Sequence, residues 1–242
     1  MANVNLAALR QGDSGSAVRL LGAILAGAPI NAFDEALKEK VVSFQAERGL
    51  KQDGVAGENT WNALISAEAE KRGYHAPARL NIYDFKQYDA RWADKLYSSK
   101  GDKSQTVRSS GCGPTAMADI IYAVDKSVTP ATMADFALSH GDRTASNGTA
   151  WSFFDHVAKA YPMLSYKRAT RLSDLESCLL SGGAAVVSMG KGYWTKGGHY
   201  ICVHEISGGY VCANDPASSA RKRQKTDEFM KERRMCFCFW PK

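Results

Sequence analysis

The sequence predicts two domains: an all-α three-helix bundle over residues 1–72, and an α+β domain with an antiparallel sheet over residues 81–242. Three observations support this prediction. Apolar residues recur at helical spacing up to residue 65, and residues 66–80 are mostly polar, with a linker predicted at 73–80. The rest of the chain has helical segments first and β-branched runs later, which is typical of an α+β domain.

Three amphipathic segments predict the bundle. Each places apolar residues three or four positions apart, the spacing of one helix face. The apolar positions are Val18, Leu21, Ile24 and Leu25 in the first segment, Leu37, Val41 and Phe44 in the second, and Trp61, Leu64 and Ile65 in the third. Few polar side chains converge, so this domain is predicted to be noncatalytic.

Three ordered blocks of this domain resemble the peptidoglycan-binding domain type 1 family. The blocks contain Gly12-Asp13-Ser14-Gly15, Phe44-Gln45-Ala46-Glu47-Arg48-Gly49-Leu50, and Asp53-Gly54-Val55 with Thr60-Trp61. The resemblance implies noncatalytic adhesion to the bacterial cell wall, with peptidoglycan as the partner.

The second domain mixes helical and extended segments. Helices are predicted over 116–124, 151–160 and 172–180, and strands over 184–189, 199–206, 210–213 and 235–240. Because the strands come late and follow one another, we expect them to pair as an antiparallel sheet.

Cys112 is the strongest candidate for a nucleophile in this domain. It lies between Gly111 and Gly113, and Pro114 is favoured in the first turn of a helix. At a helix N-terminus, backbone N–H groups and the helix dipole stabilise a thiolate and can bind an oxyanion. The flanking glycines are predicted to give access to a substrate carbonyl. The alternative interpretation is a buried cysteine at a helix cap.

A thiolate nucleophile needs a general base. The candidates are His140, His156, His199 and His204. We select His199, because it opens a predicted strand directly after Gly198 and its approach is unobstructed. His204 lies five residues further along, where strand alternation places it on the opposite face.

Asp215 is the candidate for orienting the imidazole. Residues 207–209 predict a hairpin turn. If all three form the loop, Ile206 pairs with Tyr210, and Asp215 lies on the same face as His199 at a diagonal distance of about 7–8 Å. A two-residue loop would turn Asp215 to the wrong face. The alternative is that Asp215 only caps a turn.

These residues resemble papain-fold cysteine peptidases related to the leader peptidases of bacteriocin exporters. The matching motifs are Gln87-Tyr88-Asp89, Gly111-Cys112-Gly113-Pro114-Thr115, Asn147-Gly148-Thr149 with Trp151, Gly197-Gly198-His199-Tyr200, and Asn214-Asp215-Pro216. The resemblance implies a papain-like fold and a Cys112–His199–Asp215 triad.

The same resemblance implies a glutamine that donates a hydrogen bond to the oxyanion. The motif match favours Gln87, whereas papain-like spacing before the cysteine favours Gln105. The residues predicted to bind substrate are Gly111, Gly113, Trp151 and Gly198.

The net formal charge of +6 arises mostly in residues 221–234, which hold seven basic and three acidic side chains. A basic surface suits polyanions. Beside a wall-binding domain we expect anionic wall polymers rather than nucleic acid as the partner. The alternative is a solvated surface loop.

The six cysteines include no CxxC pair, so we predict no disulfide framework, metal site or cofactor. No run of eighteen apolar residues exists, so no membrane span is expected.

Together, the two domains predict a peptidoglycan hydrolase that cleaves amide bonds in wall peptides and is tethered to its substrate. Residues 1–6 lack the pattern of a secretory signal. We therefore expect a phage-type endolysin that is made in the cytoplasm and released by a partner holin, or a secreted enzyme whose signal was removed. Two alternatives are an N-acetylmuramoyl-L-alanine amidase with the same triad, and a wall-binding protein with an inactive peptidase-like domain.

Overall fold

The computed structural model describes residues 7–71, 79–145 and 148–242. The chain divides into two compact units, Met1–Ala76 and Pro77–Lys242. Residues 73–78 of the predicted linker and Asn147 of the quoted motif lie outside the described residues. The linker and the domain boundaries at 72 and 81 stay predictions.

Over residues 7–71, the first unit has three helices, α1 (Ser16–Ala26), α2 (Glu35–Glu47) and α3 (Glu58–Lys71). Asp34 caps α2 by accepting a hydrogen bond from the Leu37 N–H at 2.9 Å. The apolar faces meet in one core that includes Val18, Leu21, Phe33, Leu37, Val41, Trp61 and Leu64. The unit therefore has a hydrophobic core of its own.

A buried glutamine fixes the turn that leads into α3. The Gln45 amide nitrogen donates to Asp53 Oδ1 and to the Val55 carbonyl, both at 3.0 Å, and its oxygen accepts from the Gly54 N–H at 3.0 Å. Gly54 has φ +67°, a conformation that glycine adopts without strain. Because the amide is satisfied on both sides, its burial stabilises this turn.

The second unit alternates helices and strands. In chain order these are α4 (Val107–Ser110), α5 (Cys112–Ile121), α6 (Pro130–Ser139), β1 (Arg143–Thr144), β2 (Gly148–Thr149), α7 (Ser152–Ala160), β3 (Leu164–Ala169), α8 (Leu172–Leu180), β4 (Ala184–Met189), β5 (His199–Ser207), β6 (Tyr210–Asn214), β7 (Arg223–Lys225), α9 (Thr226–Glu232) and β8 (Arg233–Pro241). Six strands form an antiparallel sheet in the order β3-β8-β4-β5-β6-β7, and β1 pairs with β2.

Helices cover both faces of the six-stranded sheet. Successive strand side chains point to opposite faces. Val186 and Phe237 pack in a core with residues of α5, α6 and α7, whereas Val187 and Cys236 pack in a second core with residues of α8 and α9. This explains why β4 is buried along its whole length. In the described ranges, no helix has the length and apolar character needed to span a membrane.

The predicted fold class is confirmed: a three-helix bundle precedes an α+β domain with an antiparallel sheet. The strand at 184–189 and the helix at 172–180 have the predicted limits. Seven described elements of the second unit were not predicted: α4, α6, α9, β1, β2, β3 and β7. Of these, β3 lies among the helices and pairs with β8.

The turn between β5 and β6 differs from the prediction. Gly208 and Gly209 alone form the loop, both with positive φ (56° and 80°), and Ser207 lies opposite Tyr210. The predicted pairing of Ile206 with Tyr210 is therefore wrong. Two adjacent glycines satisfy the left-handed conformation that a tight two-residue hairpin requires, so the shorter turn is favoured.

A β-bulge in β5 compensates for the shorter turn. The register shifts between Val203 and Glu205, which leaves His204 as the extra residue. Beyond the bulge, Val203 lies opposite Ala213, as the predicted pairing requires. The end of β6 therefore presents Asp215 in the predicted register, although the loop that was expected to produce it is absent.

Candidate active site

The ends of three elements bring Cys112, His199 and Asp215 together. Cys112 is the first residue of α5, which packs against β5 through the core shared by these two elements. His199 is the first residue of β5, and Asp215 directly follows β6. The site is therefore built where regular structure begins or stops, with the core behind it holding each terminus in place.

The imidazole of His199 is held by a buried carboxylate. Its Nε2 donates to Asp215 Oδ1 at 2.7 Å, and Asp215 is fully buried. The same oxygen accepts the Ala217 N–H at 2.8 Å, and Oδ2 accepts Arg221 Nε at 2.6 Å. Since Nε2 is engaged in this way, Nδ1 is the ring nitrogen left to face Cys112.

The charges of this network reinforce one another. Burial alone would raise the pKa of Asp215, but the hydrogen bonds and charges of His199 and Arg221 outweigh it and lower that pKa. Burial alone would lower the pKa of His199, yet its hydrogen bonds to Asp215 and Cys112 raise that pKa to about 9. The carboxylate and the imidazolium are therefore the favoured forms at neutral pH.

The pKa of the half-buried Cys112 thiol is shifted in the opposite direction to the pKa of His199. Burial raises its pKa, but the hydrogen bond and positive charge of His199, together with the backbone N–H groups of Tyr200 and Gly113, give a net lowering. The N–H of Gly113 belongs to the first turn of α5, as expected for a thiolate at a helix N-terminus. The two opposite shifts favour a thiolate–imidazolium pair.

Of the two candidate glutamines, Gln87 lies at the cleft. Its Nε2 donates to the Arg108 carbonyl at 2.5 Å, and the side chain lines the same cleft as Cys112. Gln105 is engaged elsewhere: its Nε2 donates to Asp102 at 3.2 Å and its Oε1 accepts from Arg143 at 2.9 Å. Of the two glutamines, only Gln87 is among the described residues that line the cleft, and its role as the oxyanion donor stays a prediction.

Three contacts position the segment that carries Gln87. The Gln87 N–H donates to the Pro216 carbonyl at 2.9 Å, and Lys86 Nζ donates to the Asp215 carbonyl at 2.8 Å. The Phe85 N–H donates at 2.7 Å to Asp119 of α5, a carboxyl whose pKa burial raises well above its usual value. The glutamine is thus tied both to the Asp215 loop and to the helix of Cys112.

The cleft has a volume of about 480 Å³ and mixes polar and aromatic groups. It is lined by Gln87, Ser109, Ser110, Cys112, Gly148, Thr149, Trp151, Ser188, Gly198, His199, Tyr200, Ala217 and Arg234. Trp151 and Gly198, two of the predicted substrate-binding residues, are among them. Trp151 is 38% exposed, so its ring is available to a ligand.

The other two predicted substrate-binding residues, Gly111 and Gly113, are buried and do not line the cleft. A Cβ on Gly113 would lie 2.8 Å from Thr149 Oγ1, and one on Gly111 would lie 2.6 Å from the Val107 carbonyl oxygen. These glycines therefore permit close packing around the start of α5. Their role in substrate binding stays a prediction.

Sequence reasoning missed the contacts of two arginines of the basic run. Arg221 pairs with Asp215, and Arg234 lines the cleft. A basic residue a few positions after the Asp215-Pro216 turn was the available signal for Arg221. To predict that Arg234 lines the cleft, the order of the strands in the sheet would have been needed.

The remaining histidines lie in other environments. His156 Nδ1 contacts Asp142 Oδ2 at 2.8 Å, a second histidine–aspartate pair that is absent from the lining of the Cys112 cleft. His204 lines a separate cavity of about 510 Å³, and burial lowers its pKa. Within residues 7–71, 79–145 and 148–242, no group of three or more His, Cys, Asp and Glu side chains is arranged to hold a metal ion.

Comparison with known proteins gives two family matches. Residues 80–237 match the family described as "Peptidase_C39 like family", and residues 17–64 match the one described as "Putative peptidoglycan binding domain". No curated protein matches the chain.

Two solved structures are similar to part of the chain. One is the peptidase domain of Streptococcus ComA, a bifunctional ABC transporter involved in a quorum-sensing pathway, with 18% identity, a TM-score of 0.44, and coverage of 55% of this chain and 93% of that chain. The other is described as a "putative C39-like peptidase" from Bacillus anthracis, with 12% identity, a TM-score of 0.47, and coverage of 69% and 100%.

Proposed function

Because the chain belongs to the Peptidase_C39 like family and also carries a match to a peptidoglycan-binding domain, it is a cell-wall-associated peptidase, and we propose that it hydrolyses amide bonds in peptidoglycan peptides with a Cys112–His199–Asp215 triad. The observation that supports this most is the 2.7 Å hydrogen bond from His199, which lines the same cleft as Cys112, to the buried Asp215. The wall substrate rests on the module at residues 17–64.

In the first half of the proposed reaction, the Cys112 thiolate attacks the carbonyl carbon of the scissile amide. A C–S bond forms, and the carbonyl π electrons move to the oxygen. Gln87 Nε2 and the first backbone N–H groups of α5 stabilise this oxyanion, since helix-start N–H groups have no partner within the helix. Collapse of the intermediate breaks the C–N bond, and His199 transfers its proton to the leaving amine.

In the second half, water hydrolyses the thioester. His199, now neutral, takes a proton from water while the oxygen attacks the acyl carbon. The C–S bond breaks, the thiolate is regenerated, and the new carboxylic acid leaves and releases its proton to solvent. Asp215 stays ionised throughout and keeps the imidazole oriented, because its hydrogen bonds to His199, Ala217 and Arg221 hold it in one position.

The proposal assigns wall binding to the first unit and hydrolysis to the second, and testing each unit alone gives a direct test of the wall substrate. Residues 1–72 alone, which contain no cysteine and no histidine, are expected to co-sediment with purified sacculi and to hydrolyse nothing. Residues 77–242 alone should cleave soluble muropeptides as fast as the full chain does, but intact sacculi about tenfold more slowly or worse, because tethering raises the effective concentration. If residues 1–72 stay in the supernatant with every sacculus preparation, the proposed wall substrate is wrong.

The oxyanion donor gives a second prediction. Gln87→Ala is expected to lower kcat by about 10²–10³-fold, the usual effect of removing one such donor. Gln105→Ala is the matched control, because its amide contacts Asp102 and Arg143 and does not line the cleft. Steady-state kinetics on a soluble muropeptide, with thermal unfolding of both variants, makes the comparison. A large loss with Gln105→Ala and none with Gln87→Ala would reverse the assignment.

An N-acetylmuramoyl-L-alanine amidase is the second candidate function, since the same triad can hydrolyse the bond between the sugar and the peptide. The endolysin role, a holin partner, production in the cytoplasm and binding of anionic wall polymers stay predictions from the sequence. Because Arg221 pairs with Asp215 and Arg234 lines the cleft, a polymer-binding surface elsewhere on the run would have to use its other five basic residues.

A further inference from the structure

Arg234 occupies an irregular position near the start of β8, an interior strand of the sheet. In the pairing of β4 with β8, Met189 lies opposite Arg233 and Ser188 lies opposite Met235. Arg234 is therefore an extra residue between two paired positions, which makes it the bulged residue of β8. Bulges redirect a side chain away from the regular alternation and are common beside active sites. Here the redirected side chain is exposed and lines the Cys112 cleft, as Ser188 does.

A glycine leaves room for the guanidinium. A Cβ built on Gly190, directly after β4, would lie 3.1 Å from Arg234 Nε and 3.7 Å from its Nη2. The backbone of Gly190 is held in place, since its N–H donates to the Glu232 carbonyl at 2.7 Å. Any larger residue at this position would crowd the guanidinium, so the space is part of how Arg234 is placed.

The guanidinium has no acidic partner in the described part of the chain. Arg91, Arg168 and Arg221 each form an ion pair with an aspartate, whereas none of the described carboxylates lies within ion-pair distance of Arg234. No aspartate or glutamate is among the described residues that line the cleft. Apart from the Cys112 and His199 pair, Arg234 is the charged side chain among the described residues of the cleft lining.

We propose that Arg234 binds a free carboxylate of the substrate peptide beside the scissile bond. A guanidinium presents a planar fork of N–H groups that matches a carboxylate with two parallel hydrogen bonds. The substrate class is thus a wall peptide with an acidic side chain or a C-terminal carboxylate close to the cleaved amide. This inference rests on the proposed function for the identity of the peptide, but the carboxylate site itself can be tested without it.

The first arm of the test uses two small alkylating agents and the full-length protein. The two reagents, iodoacetate and iodoacetamide, both alkylate thiolates, but the first carries a carboxylate where the second carries a neutral carboxamide, and we expect both to react with Cys112. Arg234→Met is expected to lower the ratio of the iodoacetate rate to the iodoacetamide rate at Cys112 by about two- to fivefold, the effect of an exposed ion pair. Peptide mapping by mass spectrometry gives both rates.

The matched control for this arm is Arg223→Met. Arg223 belongs to the same basic run but stacks on Tyr210 and does not line the cleft. In Arg223→Met, the ratio of the iodoacetate rate to the iodoacetamide rate should equal that of the wild type. This would show that losing one positive charge does not by itself lower the ratio. Equal ratios in Arg234→Met and the wild type would overturn the proposal.

The second arm uses soluble muropeptides in their native form and after carbodiimide coupling of their carboxylates to ammonia. The wild type is expected to prefer the native form in kcat/KM by roughly tenfold, mostly through KM. Arg234→Met should remove the preference. Arg234→Lys should keep part of it, because lysine has the positive charge but lacks the planar pair of N–H donors. A preference that survives in Arg234→Met would contradict the proposal.

The two arms separate this inference from the proposed function. If the alkylation ratio falls in Arg234→Met but the wild type cleaves neither muropeptide, the carboxylate site is supported and the wall substrate is wrong. If muropeptides are cleaved without any effect of Arg234→Met on the preference or on the ratio, the wall substrate is supported and the site is wrong.

Discussion

Cys112→Ala is expected to abolish amide hydrolysis while leaving binding to sacculi unchanged. The variant has no atom that can form the C–S bond, so kcat should fall by about 10⁴-fold or more, as it does when a covalent nucleophile is removed. The release of new amino groups from purified sacculi measures the loss, and co-sedimentation measures the binding. Hydrolysis by Cys112→Ala at the wild-type rate would exclude the thiol mechanism.

Cys212 provides the matched control for this variant. Both cysteines are half-buried, but burial raises the pKa of Cys212 whereas the surroundings of Cys112 lower the pKa of that thiol. Cys212→Ala is therefore expected to keep its activity. In the wild type, iodoacetamide should modify Cys112 faster than Cys212, because the thiolate is the reactive form. Equal rates for the two cysteines would count against a lowered pKa.

His199→Ala is expected to match Cys112→Ala in severity, because residues that act as one unit give losses that do not add. It should also change the reactivity of the thiol. The imidazolium of His199 lowers the pKa of Cys112, so its removal should move the pH dependence of Cys112 alkylation to higher pH. The rate of iodoacetamide modification from pH 5 to pH 10, in both proteins, shows the direction of this shift.

His204→Ala is the matched control for His199→Ala, since both residues lie on β5 but His204 lines the other cavity. Most of the activity should remain. For the wild type, kcat/KM should rise as the Cys112 thiol loses its proton and fall near pH 9, where the His199 imidazolium loses its own. An inactive His204→Ala with an active His199→Ala would show that the general base has been assigned to the wrong histidine.

Local patterns were enough to predict where the elements that carry Cys112 and His199 begin. Pro114 in the first turn and glycines around Cys112 predicted a helix start there, and α5 begins at Cys112. The glycines before His199 predicted a strand start, and β5 begins at His199. These signals depend on backbone preferences within a few residues, so they can be interpreted without knowledge of the tertiary structure.

The pairing of β5 with β6 shows where local interpretation fails. The prediction chose a three-residue loop to bring Asp215 to the face of His199, but the turn has two residues and a bulge at His204 restores the register. Nothing in the alternation of this strand indicates a bulge, because its first five residues are all buried. A bulge that is stabilised by packing on both faces is a tertiary effect.

The other features that the sequence did not reveal depend on contacts between residues far apart in the chain. β8, the last strand, lies between β3 and β4, which brings Arg234 to the cleft beside residues that are far from it in sequence. The basic run was predicted as one surface, whereas Arg221 pairs with Asp215. Similarly, spacing alone could not separate Gln87 from Gln105, because the choice depends on how the chain between Gln87 and Cys112 folds back.

The most direct test of the central claim is mass spectrometry of the fragments released from purified sacculi by the wild type and by Cys112→Ala. We predict fragments in which an amide bond between two amino acids of the wall peptides is cleaved, with one new amino group per cut, and none of them with Cys112→Ala. Intact peptides that begin with the first alanine and have lost their sugar would instead identify an amidase. Sacculi left unchanged by the wild type would contradict the account.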